Sequence, residues 1–445
     1  MSALGRLLRR AVDVREHETA ALVASCAYFF FVLSAYYVIR PVRDEMGVAG
    51  GVDNLAWLFT ATLLGMLLLH PLFTALVARL PRRQFVPLTH RFFIVNLVVF
   101  FFVFRAAGVE QAVWVGRVFF IWTSVFNLFV VSVFWSFMTD LYRPGQSQRL
   151  FGLVAVGGTL GAILGSTITA ALVNVLGPVS LLLVSAALLE IATQAARVLD
   201  RQESALARGE ATDGKSGEGA AIIGGGVLDG IRHVARSPYL LGIAALTLLF
   251  TVASTFLYFQ QADIVARVFE GDRPARTRLF ASIDLAVNGL TLATQLFLTG
   301  RMLRWLGVGL SLAFLPLMSL VGFSFLAAAP ALGVLIAFQV LRRAGNFAIQ
   351  RPAREVLYTV LSRADKYKAK NFNDTFVYRV GDQLGAWSYT AIAGVGLGLS
   401  GLALTMVPVS ALWLLLALWL GRQYMRALEA RRLDAVDARV TMSSP

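Results

Sequence analysis

The residues best suited to bind a charged ligand are arginines inside or at the end of long apolar stretches. Arg40 and Arg43 follow the first such stretch, and Asp44 comes next. Arg342 and Arg343 lie deep in a later one, about eleven residues or roughly 16 Å along a helix. A guanidinium group can donate two parallel hydrogen bonds to a carboxylate or a phosphate. These positions therefore predict an anion-binding site in apolar surroundings.

The composition excludes an ordinary soluble protein. Of 445 residues, 57% are hydrophobic and 15% are charged, whereas a soluble chain carries roughly 25% charged residues. The hydrophobic residues form blocks close to the roughly 20 residues that a membrane-spanning helix needs, without the alternation of a membrane β-barrel. We predict an all-α membrane protein with about twelve transmembrane helices. Their predicted starts lie near Ala20, Leu55, Thr89, Ala112, Leu150, Pro178, Pro238, Thr277, Leu306, Leu332, Asn371 and Leu402.

A polar, glycine-rich segment divides the chain. Residues 200–236 have the composition of a flexible cytoplasmic linker. They separate a predicted N-terminal six-helix bundle, residues 1–199, from a predicted C-terminal six-helix bundle with a basic tail, residues 237–445. The halves share a short motif, GGTLG at 157–161 and GDQLG at 381–385. A parallel six-plus-six repeat is the layout of major-facilitator transporters.

The formal net charge of +14 does not indicate a nucleic-acid partner. Most lysines and arginines lie in short loops and at the termini, where the positive-inside rule explains them. These loops share one side, which predicts cytoplasmic N- and C-termini in a bacterial inner membrane. The segment ARVFEGDRPARTR after the seventh predicted helix is an exception, because it carries positive charge on the outer side.

The residue types needed for catalysis or tight metal binding are scarce. One cysteine and four histidines are present, and no histidine has a neighbour at metal-ligand spacing. No Walker-type phosphate loop occurs. We therefore predict that the chain is not an enzyme and uses no cofactor or metal. Its expected partners are the lipid bilayer and an anionic small molecule such as a nucleotide, with no nucleic acid.

Polar residues recur at helical spacing inside three predicted helices. Ionisable groups within a membrane usually face a cavity or a partner. The eighth helix carries Asp284, Asn288, Thr291 and Gln295, the tenth Arg343, Asn346, Gln350 and Arg354, and the eleventh Asp374, Tyr378 and Asp382. Asp284 and Asp382 are candidates to carry a proton or an ion. The alternative for each of these residues is a hydrogen bond or salt bridge between helices, without a ligand.

Two local patterns predict specific packing and pairing. Gly157, Gly161 and Gly165 lie four residues apart and predict a surface for close helix packing. Arg351 and Glu355 are also four residues apart and can form a pair. The nearby acids look too few to neutralise all the cations, which favours an anionic ligand.

Three segments resemble the ADP,ATP carrier family of plastids and intracellular bacteria. FWSFMTDLYRPGQSQRLFGLVAVGGTLGAILG, which begins at Phe134, resembles that family's fourth-to-fifth helix segment. YVIRPVRDEMG resembles the end of that family's first helix, so Arg40, Arg43 and Asp44 match its charged positions. RPAREVLYTVLSRADKYKAKNFNDTFVYRVGDQLG resembles the family's tenth-to-eleventh segment, with matches at Arg354, Glu355, Lys366, Lys368, Lys370 and Asp374. The resemblance implies a major-facilitator-like antiporter that exchanges ATP and ADP and holds them with these residues.

The chain departs from that family at two glutamates. It has Thr123 or Ser124 at the position in the fourth helix, and Ser254 or Thr255 at the position in the seventh. Another nucleotide, or another phosphorylated anion, is therefore an alternative cargo.

We expect a carrier that moves a nucleotide or a similar phosphorylated anion by alternating access and exchange. Pro41 would end the first helix, and Asp44 and Glu45 would hold the neighbouring arginines. The predicted substrate-binding residues are Arg40, Arg43, Asp44, Arg343, Asn346, Gln350, Arg354, Glu355, Lys370 and Asp374, of which Arg43, Arg343, Arg354 and Lys370 would hold the cargo. Two alternatives stay open: a major-facilitator carrier of a drug, sugar or organic anion, and a non-transporting membrane scaffold or lipid-handling protein.

Overall fold

The chain forms long helices joined by short connections. The computed structural model describes residues 15, 18–79, 82–142, 144–201, 237–298, 301–302, 305–361, 369–370 and 372–443, and no β-strand occurs among them. Most of the predicted linker lies outside the described residues, and so do Lys366 and Lys368.

The first half of the sequence contains six helices. They are α1 (Thr19–Ala49), α2 (Leu55–Arg79), α3 (Arg82–Ala106), α4 (Val109–Leu141), α5 (residues 144–176) and α6 (residues 178–201). A single residue separates the last two. Gly177 has a φ of 75° and a ψ of 159°, a conformation that is strained for any residue with a Cβ atom. The glycine therefore lets two membrane-length helices follow each other without a loop.

The second half contains six more helices, two of them with π-helical turns. They are α7 (Pro238–Val268), α8 (Arg273–Phe297), α9 (Gly307–Ala328), α10 (residues 332–357), α11 (residues 373–394) and α12 (Leu399–Ser443). The π-helical turns are Asn346–Gln350 within α10 and Asn373–Val377 at the start of α11. Such turns interrupt the regular hydrogen-bond ladder and are frequent at functional sites.

Ten helical stretches of the described residues are long and apolar enough to cross a membrane. One of them, Arg149–Arg201, supplies two helices because it bends at Gly177. The π-helical and α-helical parts of α11 together supply the twelfth. The prediction of an all-α membrane protein with about twelve helices is therefore confirmed.

The described residues form two compact units. The first contains residues 15–201 together with 269–288, and the second contains 237–268 and 289–443. The start of α8 thus belongs to the first unit, although the sequence assigns it to the second half. The division into bundles at residues 199 and 237 stays a prediction.

Close packing of α1 against α5 organises the first unit. Cβ atoms added at Gly161 and Gly165 would overlap the backbone oxygens of Phe30 and Ser34, and one at Gly157 would lie 2.7 Å from another α1 backbone oxygen. The Ser34 hydroxyl also donates to the Gly161 oxygen at 3.0 Å. Glycine is required at these positions because the obstruction is backbone, which cannot rotate away.

The first helix does not end at its proline. Pro41 lies inside α1, which continues to Ala49, so the prediction that it ends the helix is wrong. Proline removes one backbone donor, and the Tyr37 oxygen loses its partner four residues on. The side chains of Val38 and Ile39 before the proline and Val42 after it are fully buried. Tertiary packing therefore sustains the helix across this position.

Glu18, which immediately precedes α1, connects the start of that helix to α5. Its carboxylate accepts from Arg149 Nη2 at 2.8 Å, from Gln146 Nε2 at 3.2 Å and from the Arg15 backbone N–H at 3.0 Å. Burial by itself raises the pKa of Glu18, but these donors outweigh it and leave the pKa below its ordinary value.

The lowered pKa of Glu18 makes the contribution of this contact dependent on pH. A carboxyl group whose pKa is depressed by folding stabilises the folded state above its unfolded-state pKa, and that stabilisation is lost as the pH falls through the folded-state value. We expect Glu18→Gln to have a lower Tm than the wild type at pH 7. The difference in Tm between the two proteins should become smaller at acid pH. Thermal unfolding between about pH 3 and pH 7 measures this, because the stabilisation is lost below the ordinary glutamate pKa. Asp140→Asn, at an exposed position, is the control. If the Tm difference between Glu18→Gln and the wild type stays constant with pH, the Glu18 carboxylate does not stabilise the fold in this way.

Candidate functional site

A buried guanidinium group in the second unit is the strongest candidate to bind an anion. Arg342, on α10, is 3% exposed. Its Nε donates to Ser319 Oγ at 3.2 Å. Its Nη2 donates to Ser254 Oγ at 2.8 Å and to the Phe250 backbone oxygen at 3.2 Å. All these acceptors are uncharged, and no carboxylate in the described part of the chain forms an ion pair with Arg342.

The depth of Arg342 makes its charge unfavourable without an anion. Ten residues separate it from the start of α10 at Leu332, which corresponds to ~15 Å along the helix, about half of the hydrocarbon thickness. A buried charge needs hydrogen bonds and a counter-charge. The serine and backbone oxygens supply the hydrogen bonds. The counter-charge must come from elsewhere.

Amide side chains extend the polar surroundings of this arginine. Gln339 lies three residues before Arg342, on the same side of α10. Its Nε2 donates to Gln261 Oε1 of α7 at 2.6 Å, and both amides are buried. Arg343 is half-buried beside them. The middle of α10 therefore presents two adjacent guanidinium groups and a row of neutral hydrogen-bonding groups.

The π-helical turn of α10 carries two of the predicted binding residues. Asn346 is half-buried and Gln350 is 4% exposed. Gln295 of α8 donates to the Phe347 backbone oxygen in the same turn at 3.4 Å. The turn begins four residues after Arg342, so it changes the direction in which the later residues of α10 point.

Four more predicted binding residues meet where α10 ends and α11 begins. Arg354 Nη2 lies 3.7 Å from Asp374 Oδ1. Lys370 Nζ lies 2.7 Å from Glu355 Oε2. The prediction that Glu355 pairs with Arg351 is wrong, because Arg351 is exposed and Lys370, which precedes α11, donates to the carboxylate instead.

The predicted residues of α1 lie together in the first unit. Arg40 Nη1 donates to Asp284 Oδ1 at 2.5 Å. Arg43 Nη1 donates to Asp44 Oδ1 at 3.2 Å, and its guanidinium carbon lies 4.0 Å from the centroid of the Phe120 ring. Each of these two cations therefore has a carboxylate partner, and Arg43 also has a cation–π contact.

Glu45 has different partners from those expected. It is fully buried, and it accepts from Arg273 Nε and Nη2, both at 3.1 Å, and from Arg276 Nη2 at 2.9 Å. The prediction that it holds Arg40 and Arg43 is wrong. Arg273 and Arg276 both belong to the segment ARVFEGDRPARTR, whose positive charge is an exception to the positive-inside pattern. The buried acid neutralises part of their charge, which weakens them as topology signals.

We expect Glu45→Gln to lower the free energy of unfolding by about 3 kcal/mol or more, because the change leaves Arg276 buried without its anion. Thermal unfolding in detergent measures the effect. The control is Asp53→Asn, an exposed acid nearby on the same unit, whose expected effect is within about 0.5 kcal/mol. Equal stability of the two variants contradicts the structural role of Glu45.

The two carboxylates considered for ion coupling both contact arginines. Asp284 is 1% exposed and pairs with Arg40. Asp382 lies 3.3 Å from Arg379 and 3.4 Å from Thr255 Oγ1. Proton transfer at either site would require its ion pair to open first, and this role stays a prediction.

Carboxylates are closer to the cations than the sequence indicates. Arg43, Arg354 and Lys370 each have one at 2.7 to 3.7 Å. The expectation that acids are too few is wrong for these three. Arg43 pairs with Asp44, its neighbour in the sequence, and folding brings Asp374 and Lys370 beside the end of α10. The hydrogen-bonding partners of Arg342 could not be predicted from the sequence, since nothing distinguishes Ser319 from any other serine in an apolar helix.

No protein-family model and no curated protein sequence matches the chain. Solved structures do resemble it. A bacterial homologue of the human lysosomal transporter Spinster, inward-facing and unoccupied, shares 16% identity over 93% of this chain and 94% of its own, with a TM-score of 0.53. An auto-inhibited POT-family peptide transporter shares 16% identity over 91% of this chain and 96% of its own, with a TM-score of 0.60. The nucleoside transporter NupG shares 13% identity over 93% of this chain and 99% of its own, with a TM-score of 0.52.

These likenesses are of fold. They extend over nearly the full length of each chain, so the whole helical arrangement is shared and not one motif. The predicted all-α fold of about twelve helices is confirmed, and it is similar to the fold of these transporter structures.

Proposed function

We propose that the chain is a secondary transporter of an anionic small molecule, such as a nucleotide or a similar phosphorylated compound. One observation carries the proposal: Arg342 is buried near mid-membrane depth with only uncharged acceptors. Phosphate and carboxylate groups suit the planar fork of a guanidinium. A mobile anion would supply the counter-charge that the described residues do not.

The ion pairs at the end of α10 suit transient binding of the same cargo. The side chains of Glu355 and Lys370 are 39% and 38% exposed, and that of Asp374 is 44% exposed. Exposed pairs of this kind typically contribute 0–1 kcal/mol. A cargo phosphate can therefore displace Glu355 from Lys370 at little energetic cost. In the other pair only Asp374 is exposed, because the Arg354 side chain is 14% exposed. Arg354 and Lys370 would pass the anion toward Arg342 and Arg343.

The fold is compatible with this activity. The similar structures are named as transporters, and one of them is named for nucleosides. At 13 to 16% identity they support the fold only. The proposed cargo therefore rests on the arginines. We place the protein in the bacterial inner membrane with cytoplasmic termini, and we propose exchange or an ion gradient as the driving force.

Uptake into proteoliposomes tests the proposal. Labelled ATP, ADP and inorganic phosphate are offered outside, with adenosine as the uncharged control, and unlabelled cargo is preloaded in half of the samples. We expect at least one phosphorylated anion to accumulate about tenfold above protein-free liposomes, with saturation, while adenosine does not. Preloading accelerates uptake if the protein exchanges substrates. Saturable uptake of adenosine alone, or no anion uptake and no thermal shift with any anion, overturns the proposal.

A further inference from the structure

A cleft at one end of the first unit combines an apolar floor with a basic rim. Its volume is about 280 Å³, and it lies where α3 begins and where α4 and α6 end. The floor is formed by Val86, Phe137 and Ala196, which are buried. The rim includes Arg197, Asp200 and Arg201, and Pro87 completes the lining.

The rim carries net positive charge. Two arginines and one aspartate give +2 and −1, or +1 together. Arg201 is exposed, and no carboxylate that the structure describes forms an ion pair with it. A guanidinium next to an apolar floor is suited to an amphipathic anion.

A hydrogen-bonded strip leads from this rim toward the middle of the helices. Arg197 Nη1 donates to Gln194 Oε1 at 3.3 Å, and Gln194 Nε2 donates to Glu190 Oε1. Arg91 Nη2 of α3 lies 3.4 Å from the same carboxylate oxygen. Glu190 is seven residues from Arg197, so this ion pair lies ~10 Å deeper along α6.

The ion pair of the strip is exposed although it lies within membrane-length helices. The side chains of Arg91 and Glu190 are 49% and 39% exposed. Charges beside lipid tails are unfavourable, and long basic side chains turn toward phosphate groups at the interface. The strip begins at the rim with Arg197 and Gln194, so a polar group bound at the rim would lie beside its first hydrogen-bonding residues.

We propose that this cleft binds an anionic phospholipid. The phosphate lies between Arg197 and Arg201, the ester region faces Gln194 at the start of the strip, and one acyl chain lies over Pro87, which is half-buried. The basic and apolar surfaces meet at helix ends that the charge pattern predicts to be cytoplasmic, where anionic headgroups attract basic residues. A soluble phosphate would use the rim and leave the apolar surface of Pro87 uncovered. The inference does not depend on which cargo is transported.

Lipid retention tests the proposal. The full chain is reconstituted in phosphatidylcholine with a minor fraction of phosphatidylglycerol, extracted gently, and examined by native mass spectrometry. We expect phosphatidylglycerol to be enriched over phosphatidylcholine. Arg197→Gln with Arg201→Gln lowers that enrichment about tenfold, since each basic residue near an anionic surface contributes on the order of 1 kcal/mol. Lysine at both positions retains most of it. The control pair is Arg422→Gln with Arg426→Gln, at exposed positions of α12.

A second measurement keeps the test independent of the folding of the variants. A photoreactive phosphatidylglycerol is added to the wild-type protein, and labelled peptides from α3 and α6 are expected. Glycerol phosphate and inorganic phosphate are added as competitors and are expected not to displace the lipid. Equal retention of both lipids, labelling confined to other helices, or full displacement by inorganic phosphate overturns the proposal, the last in favour of a simple phosphate site.

Discussion

Uptake of the phosphorylated anion is expected to fall about a hundredfold or more when Arg342 is replaced by glutamine. Each hydrogen bond between a charged group and its ligand contributes about 1.5–3 kcal/mol, and a guanidinium can make two of them to one phosphate. The protein itself should stay folded, with a Tm within a few degrees of the wild type. Glutamine removes a buried charge that has only neutral acceptors, so no internal ion pair is broken.

Two further variants define what the arginine supplies. Arg342→Lys keeps the charge but loses the planar fork, so we expect an intermediate rate and a raised KM. Arg351→Gln, an exposed position on the same helix, should leave uptake unchanged. If Arg342→Gln loses uptake and also unfolds, the arginine is a structural residue and the proposed site is elsewhere.

Ser254→Asp provides the sharpest version of the same test. Ser254 Oγ lies 2.8 Å from Arg342 Nη2, so an aspartate there can supply a fixed carboxylate. The internal anion would compete with the cargo, and we expect uptake to be lost while the Tm is kept or raised. Ser254→Ala removes only a neutral acceptor and should reduce uptake by less than about fivefold, as one neutral hydrogen bond contributes ~1 kcal/mol. Normal uptake by Ser254→Asp would show that Arg342 does not bind the cargo.

The largest effect on stability is expected from Gly161→Ala. The new Cβ atom would overlap the Phe30 backbone oxygen, and α1 and α5 would have to separate along their whole contact. Overpacking of this kind typically costs 1–3 kcal/mol, and more where backbone is the obstacle. A loss of about 3 kcal/mol corresponds to a Tm lower by roughly 6–12 °C for a unit of this size. Thermal unfolding in detergent, together with the yield of monodisperse protein, measures it.

Gly152→Ala is the matched control for that change. Gly152 belongs to the same helix, but a Cβ atom there would meet nothing within 4 Å. Alanine forms helices better than glycine, so we expect Gly152→Ala to be neutral or stabilising by up to ~1 kcal/mol. A loss of stability as large as that of Gly161→Ala would mean that α5 needs glycine flexibility in general and not close contact with α1.

Much of the fold follows from local properties of the chain. A block of about 20 apolar residues can satisfy its backbone within a membrane only as a helix. All twelve predicted helix starts therefore lie within about seven residues of an observed helix start, an agreement that local periodicity can achieve. The glycines of α5 were also readable as a packing surface, because small residues four apart line one side of a helix. The continuation of α1 through Pro41 could not be predicted from the sequence, since contacts of the flanking residues overcome the local effect of proline.

The sequence by itself determined the membrane class, the number of helices and the positions of the charged residues within them. It did not determine which charges are neutralised, because ion pairing depends on side chains that are distant along the chain. Glu45 and Arg276 are an example, as are Arg40 and Asp284. Arg342 and Arg343 look alike in the sequence, yet only the packing of α7 and α9 around α10 surrounds Arg342 with hydroxyl and carbonyl oxygens. Electrostatic interactions act through a few ångströms of space, and tertiary structure alone sets those distances.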